Sequence, residues 1–224
     1  MRPVKSIIKI MEERVLLKGI LHGSVPAFRK LTAEYIPLVS RTSYRIMCDR
    51  SDSEYVTKEV FASLWHDPLS YMEADSLSDA LLRRTCAICR RRLARRRLYG
   101  IFSIHPELFV MSSPSVPSAD EYIARQAWEV FCRASRNCSD RQRILYTLHE
   151  LEGLPVSTSA RVGRYLEFTA EEALNAARRR VKEELDAYGR MDDYISYVGF
   201  LRKVEDQLTD KTRLLSNIMQ ELFA

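Results

Sequence analysis

The residues best placed to do chemistry in this chain are arginines. Residues 83–97 read RRTCAICRRRLARRR and hold Arg83, Arg84, Arg90, Arg91, Arg92, Arg95, Arg96 and Arg97, with no acid among them. A guanidinium group is always charged and presents a planar fork of donors that binds phosphate through two bonds at once. The chemistry on offer is polyanion binding, not bond making. The run alone exceeds the net charge of the whole chain, +5, so the remainder is slightly acidic. One basic element on an otherwise acidic protein is the footprint of a nucleic-acid contact; a solvated helix face is the plainer reading.

Other reactive constellations are missing. His22, His66, His105 and His149 are scattered over separate segments. No His-Glu-x-x-His pattern, phosphate-cradling glycine loop, dinucleotide fingerprint or nucleophile elbow occurs. The expectation is a protein that is not an enzyme, with no cofactor, no metal and no small-molecule substrate. Cys86-Ala-Ile-Cys89 has ligand spacing, but no second pair completes a four-ligand site. With five cysteines in all, an odd number, and no export signal, these read as small residues on a packed helix. Glu150 and Glu152, close to a helix end, read as solvated.

The elements that must position these groups are helices. Seven glycines and eight prolines in 224 residues are few for a sheet-based fold. Apolar residues recur at spacings of three and four over about 4–22 (Ile7, Ile8, Met11, Val15, Leu16 and Ile20), after Ser24, over 53–67, from Ser76 to Leu98, and over 119–136 and 139–151. A short segment over 157–165, a long helix over 169–187 and two amphipathic helices within 190–224 complete the chain. Ser24 reads as an N-cap with Pro26 in the first turn, and Pro37 bends or restarts the helix that follows. Residues 100–118, with Gly100, Pro106, Pro114 and Pro117, read as a linker. The expected architecture is therefore all-α: a helical domain over 1–99, a linker over 100–118, a second domain over 119–187 and a helical extension over 188–224. No run of about 18 apolar residues is long enough to span a membrane, and Ile7-Ile8-Lys9-Ile10 is too short and too charged for a secretory signal. A cytoplasmic location without stable membrane insertion is the expectation.

Residues 139–185 have the layout of a helix-turn-helix, in which a short helix braces a longer one that enters the major groove. An ordinary three-helix bundle has the same pattern. Taken together, the motifs resemble those of the extracytoplasmic-function sigma factors, the small two-domain group of the sigma-seventy-like family. Residues 15–97 resemble the second sigma region: Leu16-Leu17-Lys18-Gly19-Ile20 with Gly23, Ala27 and Phe28, then Asp49-x-x-Asp52-Ser53-Glu54, Val56, Glu59-Val60-Phe61, Leu64 and Trp65, and finally the arginine run. Residues 139–185 resemble the fourth region through Ser139-Asp140-Arg141-Gln142-Arg143, Leu151-Glu152-Gly153-Leu154 and Ala177-Arg178-Arg179-Arg180-Val181. The chain departs from the family at Tyr55, where a further acid is usual, at Lys58, where glutamine is usual, and at Ala80, where an aromatic residue is common.

The resemblance implies core RNA polymerase and promoter DNA as partners, with an anti-sigma factor as a further one. It implies that Arg83, Arg84, Arg90 and Arg91 meet the DNA backbone at the −10 element. It places Asp52, Glu54, Val56, Glu59, Phe61 and Trp65 at the polymerase, although core packing is the plainer role for Phe61 and Trp65. It places Thr169, Glu171, Asn175 and Arg178 at the −35 element. Two other functions fit the residues: a sigma-like regulator that cannot initiate alone, and a stand-alone helix-turn-helix regulator that dimerises through 190–224.

Overall fold

The computed structural model describes residues 4–74, 76–98, 119–188, 194–203 and 211–223. Among them every regular element is helical, as the composition requires. The elements are α1 (Val4–Leu21), α2 (Val25–Met47), α3 (Arg50–His66), α4 (Leu69–Met72), α5 (Leu77–Leu98), α6 (Ala119–Arg136), α7 (Asp140–Tyr146), α8 (Val156–Gly163), α9 (Glu167–Tyr188), α10 (Tyr194–Lys203) and α11 (Lys211–Phe223). A wider π turn over Thr147–Leu151 continues α7. The expected linker, 100–118, lies outside the described residues.

Local sequence explains most of the boundaries. Ser24 caps α2 by accepting a hydrogen bond from the Ala27 backbone N–H at 3.3 Å. Asp49 caps α3 in the same way, through the Asp52 N–H at 2.8 Å. Ser139 and Gln142 close a reciprocal capping box at the start of α7. Helix α2 runs straight through Pro37, although proline has no N–H to offer the carbonyl of Ala33. Burial on both sides of it, at Ile36 and Val39, outweighs the lost bond.

The helix over α1 forms where expected but packs on a different face. Leu17 and Ile20 are buried, whereas Ile8, Met11 and Val15 face solvent. Two neighbours on α2 set the rotation. A side chain on Gly19 would bring its Cβ within 3.0 Å of the Ala27 Cβ, so glycine permits the close crossing. The hydroxyl of Tyr35 donates to the carboxylate of Glu13, which draws that acid into the contact.

The first core is built by α1–α5 around Phe28, Leu31, Val39, Val56, Val60, Phe61, Leu64 and Leu81. Where α2 meets α3 the contact is made by small polar residues. The Ser43 hydroxyl lies 2.8 Å from that of Ser53 and donates to the Ser40 carbonyl at 2.9 Å, so the seam is dense and satisfied. Ile144, Leu148, Val162, Leu214, Ile218 and Met219 join this core from the other side of residues 100–118. The second core gathers Trp128, Phe131, Tyr146, Leu174, Val181, Leu185, Tyr197 and Leu201 from α6, α7, α9 and α10. A smaller cluster of Leu145, Ala160, Ala170 and Ala173 fills the angle between α7, α8 and α9.

The two helical groups meet along a seam. Tyr44 of α2 stacks on Trp128 of α6 with ring centroids 4.8 Å apart and planes 13° apart. Cys48 ends α2 in a left-handed conformation, with φ at 51°. Its thiol is hydrogen-bonded to that of Cys132 on α6, which holds Cys48 below the ordinary thiol pKa against the opposing effect of burial. Arg143 reaches across from α7 and donates to the Ile46 carbonyl at 3.2 Å.

Candidate nucleic-acid interface

Helix α5 carries the arginine run, and its neighbours sort the eight guanidinium groups into two sets. On one side they are already engaged. Arg90 donates to the Gly163 carbonyl at 2.6 Å and to the Tyr165 hydroxyl at 3.1 Å, with its charge 5.0 Å from the centre of that ring. Arg92 and Arg96 both bind Asp52, Arg96 also reaches Asp49 at 2.9 Å, and Arg97 pairs with Asp140. Arg90, expected at the DNA backbone, is held by α8 and the turn after it.

The other four, Arg83, Arg84, Arg91 and Arg95, form no ion pair among the described residues. Arg84, Arg91 and Arg95 are exposed and stand at i, i+7 and i+11, which puts them in one stripe about 16 Å long. Arg95 belongs to the set that the motif comparison overlooked. Its signal was present in the sequence as helical phase, not as position within the run.

The stripe begins beside a cleft of about 650 Å³ between α3, α4, α5 and the α8–α9 turn. Arg83, Arg84 and Arg164 give it a cationic side, and Glu59 and Asp67 lie among its other lining residues. Its volume lies within the range of small-ligand sites. Tyr71 contributes an aromatic ring, its hydroxyl 2.8 Å from that of Ser63. Burial raises the Tyr71 pKa, and Ser63 and Arg84 partly offset this. Ala80 lines the cleft too, so space stays open where an aromatic side chain would have filled it. Arg164 reaches this place by a left-handed backbone, φ 55°, and not through the adjacent glycine. Gly163 is needed for another reason: a Cβ there would lie 2.7 Å from the Tyr165 ring.

The second expected DNA element is the trio α7, α8 and α9, with a three-residue turn at 164–166. Helix α9 starts at Glu167, two residues before the expected start. Glu171 and Asn175 are exposed, whereas Thr169 is half-buried and its hydroxyl donates to the Leu166 carbonyl at 2.8 Å. Arg178 is occupied, bonded to the Glu150 carboxylate and, at 3.1 Å, to Asn175 Oδ1. Leu166 and Phe168 are 69% and 78% exposed, so the entering end of this helix is apolar and acidic together.

The two acids expected to be solvated are not. The π turn sets Glu150 towards α9 and Glu152 towards α2. The Glu152 carboxylate, 3% exposed, accepts from Arg41 at 2.7 Å, from the Thr42 hydroxyl at 2.8 Å and from Arg45 at 2.9 Å. Arg45 is itself buried, and its pKa falls to about 10, mainly through desolvation, with Glu152 opposing the fall. Arg202 of α10 covers the Glu150 carbonyl at 2.8 Å. The Leu151-Glu152-Gly153-Leu154 turn is thus also a clamp between the two helical groups, a role invisible without the Arg41 and Arg45 partners.

The six residues expected at the polymerase fall into four situations. Val56 and Phe61 are fully buried in the first core, which corrects their assignment to a surface. Asp52 is buried beneath Arg92 and Arg96. Glu59 lines the cleft, while Glu54 and Trp65 meet α11. The two departures on this face have partners of their own: Tyr55 lies 4.3 Å under Arg92, and Lys58 pairs with Glu221.

The cysteines of the Cys-x-x-Cys stretch are packed in the core, as small helix residues would be. Burial pushes the Cys86 thiol up to about 12 and Cys89 well above its ordinary value. Among the described residues no helix is long and apolar enough to cross a membrane. No protein-family model matches this chain, and no curated protein matches it.

Proposed function

We propose that the protein is a sigma-type specificity subunit, which brings core RNA polymerase to promoter DNA in the cytoplasm. The observation that carries this reading is the exposed stripe of Arg84, Arg91 and Arg95, leading from a cleft of about 650 Å³. The stripe supplies sequence-independent phosphate contacts, from which most of the affinity would come. The cleft offers a recess for a base drawn out of the stack, a step that costs a few kcal/mol. Arg83, Arg84 and Arg164 stand where they can hold the adjoining phosphate. The helix trio with Glu171 and Asn175 on its open face supplies the second contact, at the −35 element. Glutamate there can accept from cytosine N4, although it repels phosphate.

Reconstituted transcription tests this. Purified protein and core polymerase should give a transcript from one class of promoter, with none from core alone. Binding to core without any promoter-specific transcript would overturn the reading. That outcome would favour a second one, a sigma-like regulator that cannot initiate by itself. Two observations support this alternative: Glu54 and Trp65 are covered by α11, and the turn into α9 exposes Leu166 and Phe168 among acids. The dimeric regulator has less support, since α10 and α11 bury Tyr197, Leu201, Leu214 and Ile218 against the body of the same chain.

A further inference from the structure

Helix α11 is the last element of the chain, and it lies on α2 and α3. Leu214, Ile218 and Met219 are buried in the first core, with Leu215 and Leu222 partly so. These five form one stripe at helical spacing. At its C-terminal end the Phe223 ring stands edge-on to Trp65 at 4.6 Å and to Phe28 at 5.7 Å, and Phe28 and Trp65 themselves are 5.3 Å apart. Each end of the contact also carries a charge match. Arg213 bonds Glu54 at 2.6 Å near the start of α11, and Glu221 pairs with Lys58 near its end.

Glu54, Lys58 and Trp65 stand at i, i+4 and i+11 on α3, so all three face the same way. An apolar groove flanked by one acid and one base, filled by an amphipathic helix of matching polarity, has the form of helix-in-groove recognition. Here the bound helix is part of the same chain. Phe223 remains 36% exposed, and the two ion pairs, one near each end of α11, lie at the rim, where such pairs contribute little.

We infer that α11 is a displaceable strap. It fills a helix-binding groove on α2 and α3 whose external occupant is another amphipathic helix, one that sets a cation against Glu54, an acid against Lys58 and an aromatic ring against Trp65. The inference rests on the sigma-type reading only for the identity of that competitor, a helix of core polymerase. Because α11 is tethered, it competes at an effective concentration in the millimolar range. An outside helix with equal contacts therefore binds only weakly until the strap is loosened.

The probe is a fluorescein-labelled peptide of residues 211–223, titrated into the full-length protein and read by anisotropy. Ile218→Asp places a carboxylate in the core and releases α11, and the peptide should then bind at least about tenfold tighter than to the wild type. Glu221→Lys, a rim change that leaves the apolar stripe intact, should tighten binding by about two- to fivefold. Adding Lys58→Glu to Glu221→Lys should restore the weak binding of the wild type. Wild-type affinity in variants that keep their helical circular dichroism would overturn the strap. Should Ile218→Asp lose that signal, the two rim variants decide alone. Capture of core polymerase by the same proteins is measured in parallel. Tighter peptide binding without any polymerase capture would keep the strap and overturn the sigma-type reading. Equal polymerase capture by all variants, with no gain in peptide binding, would do the reverse.

Discussion

Helices α5 and α9 are both 22 residues long and both were expected to meet DNA, yet they distribute charge differently. In α5 the arginines facing the protein are matched by Asp49, Asp52 and Asp140, and a separate stripe is left to solvent. In α9 the expected reader Arg178 is bound to Glu150, and the entering turn shows Glu167, Phe168 and Glu171. A count of basic residues cannot separate the two cases, because a guanidinium group acts on a distant phosphate only when no nearer carboxylate holds it. The first helix leaves unmatched cations on its open face, whereas the second shows acids and apolar side chains there.

The most damaging way to break this contrast is to remove the clamp that holds the α9 unit against α2. Glu152→Ala leaves Arg45 buried without its main carboxylate, and stability should fall by about 3–5 kcal/mol in a urea titration. Next is the joint change of Arg84, Arg91 and Arg95 to Gln. Stability should stay within about 0.5 kcal/mol of wild type. The slope of log K against log salt for polymerase-bound DNA should flatten by about 2.7, since each lost phosphate contact removes about 0.9. Arg90→Ala sharpens the contrast from the packed side. It should cost about 1–3 kcal/mol of stability and leave the salt slope unchanged. The smallest effect is expected in α9: Glu171→Gln should strengthen non-specific DNA retention by less than about tenfold, with no change in melting temperature.

The helical boundaries were legible because caps and apolar periods are local. Ser24 announces α2 through an atom three residues away, whereas α3, capped by Asp49, begins at Arg50, three residues before its expected start at 53. The face that α1 buries was not legible, because Gly19 against Ala27 and Glu13 against Tyr35 are choices made by another helix. The same holds at the candidate interface. The arginine run was visible as composition, but which of its members are matched depends on Asp49, Asp52, Gly163 and Asp140. Glu152 was misjudged for this reason: its three donors sit more than a hundred residues earlier in the chain. Lys58 and Tyr55 stood out as departures from a family pattern, and their partners Glu221 and Arg92 supply the physical account.

The sheltered thiols give this molecule a built-in reporter. Cys48 and Cys132 touch across the junction of α2 and α6, whereas Cys86 and Cys89 lie inside the first core. If the two helical groups separate as units when polymerase or DNA binds, a maleimide will label the first pair and spare the second. If the chain merely unfolds, these four and half-buried Cys138 will all react.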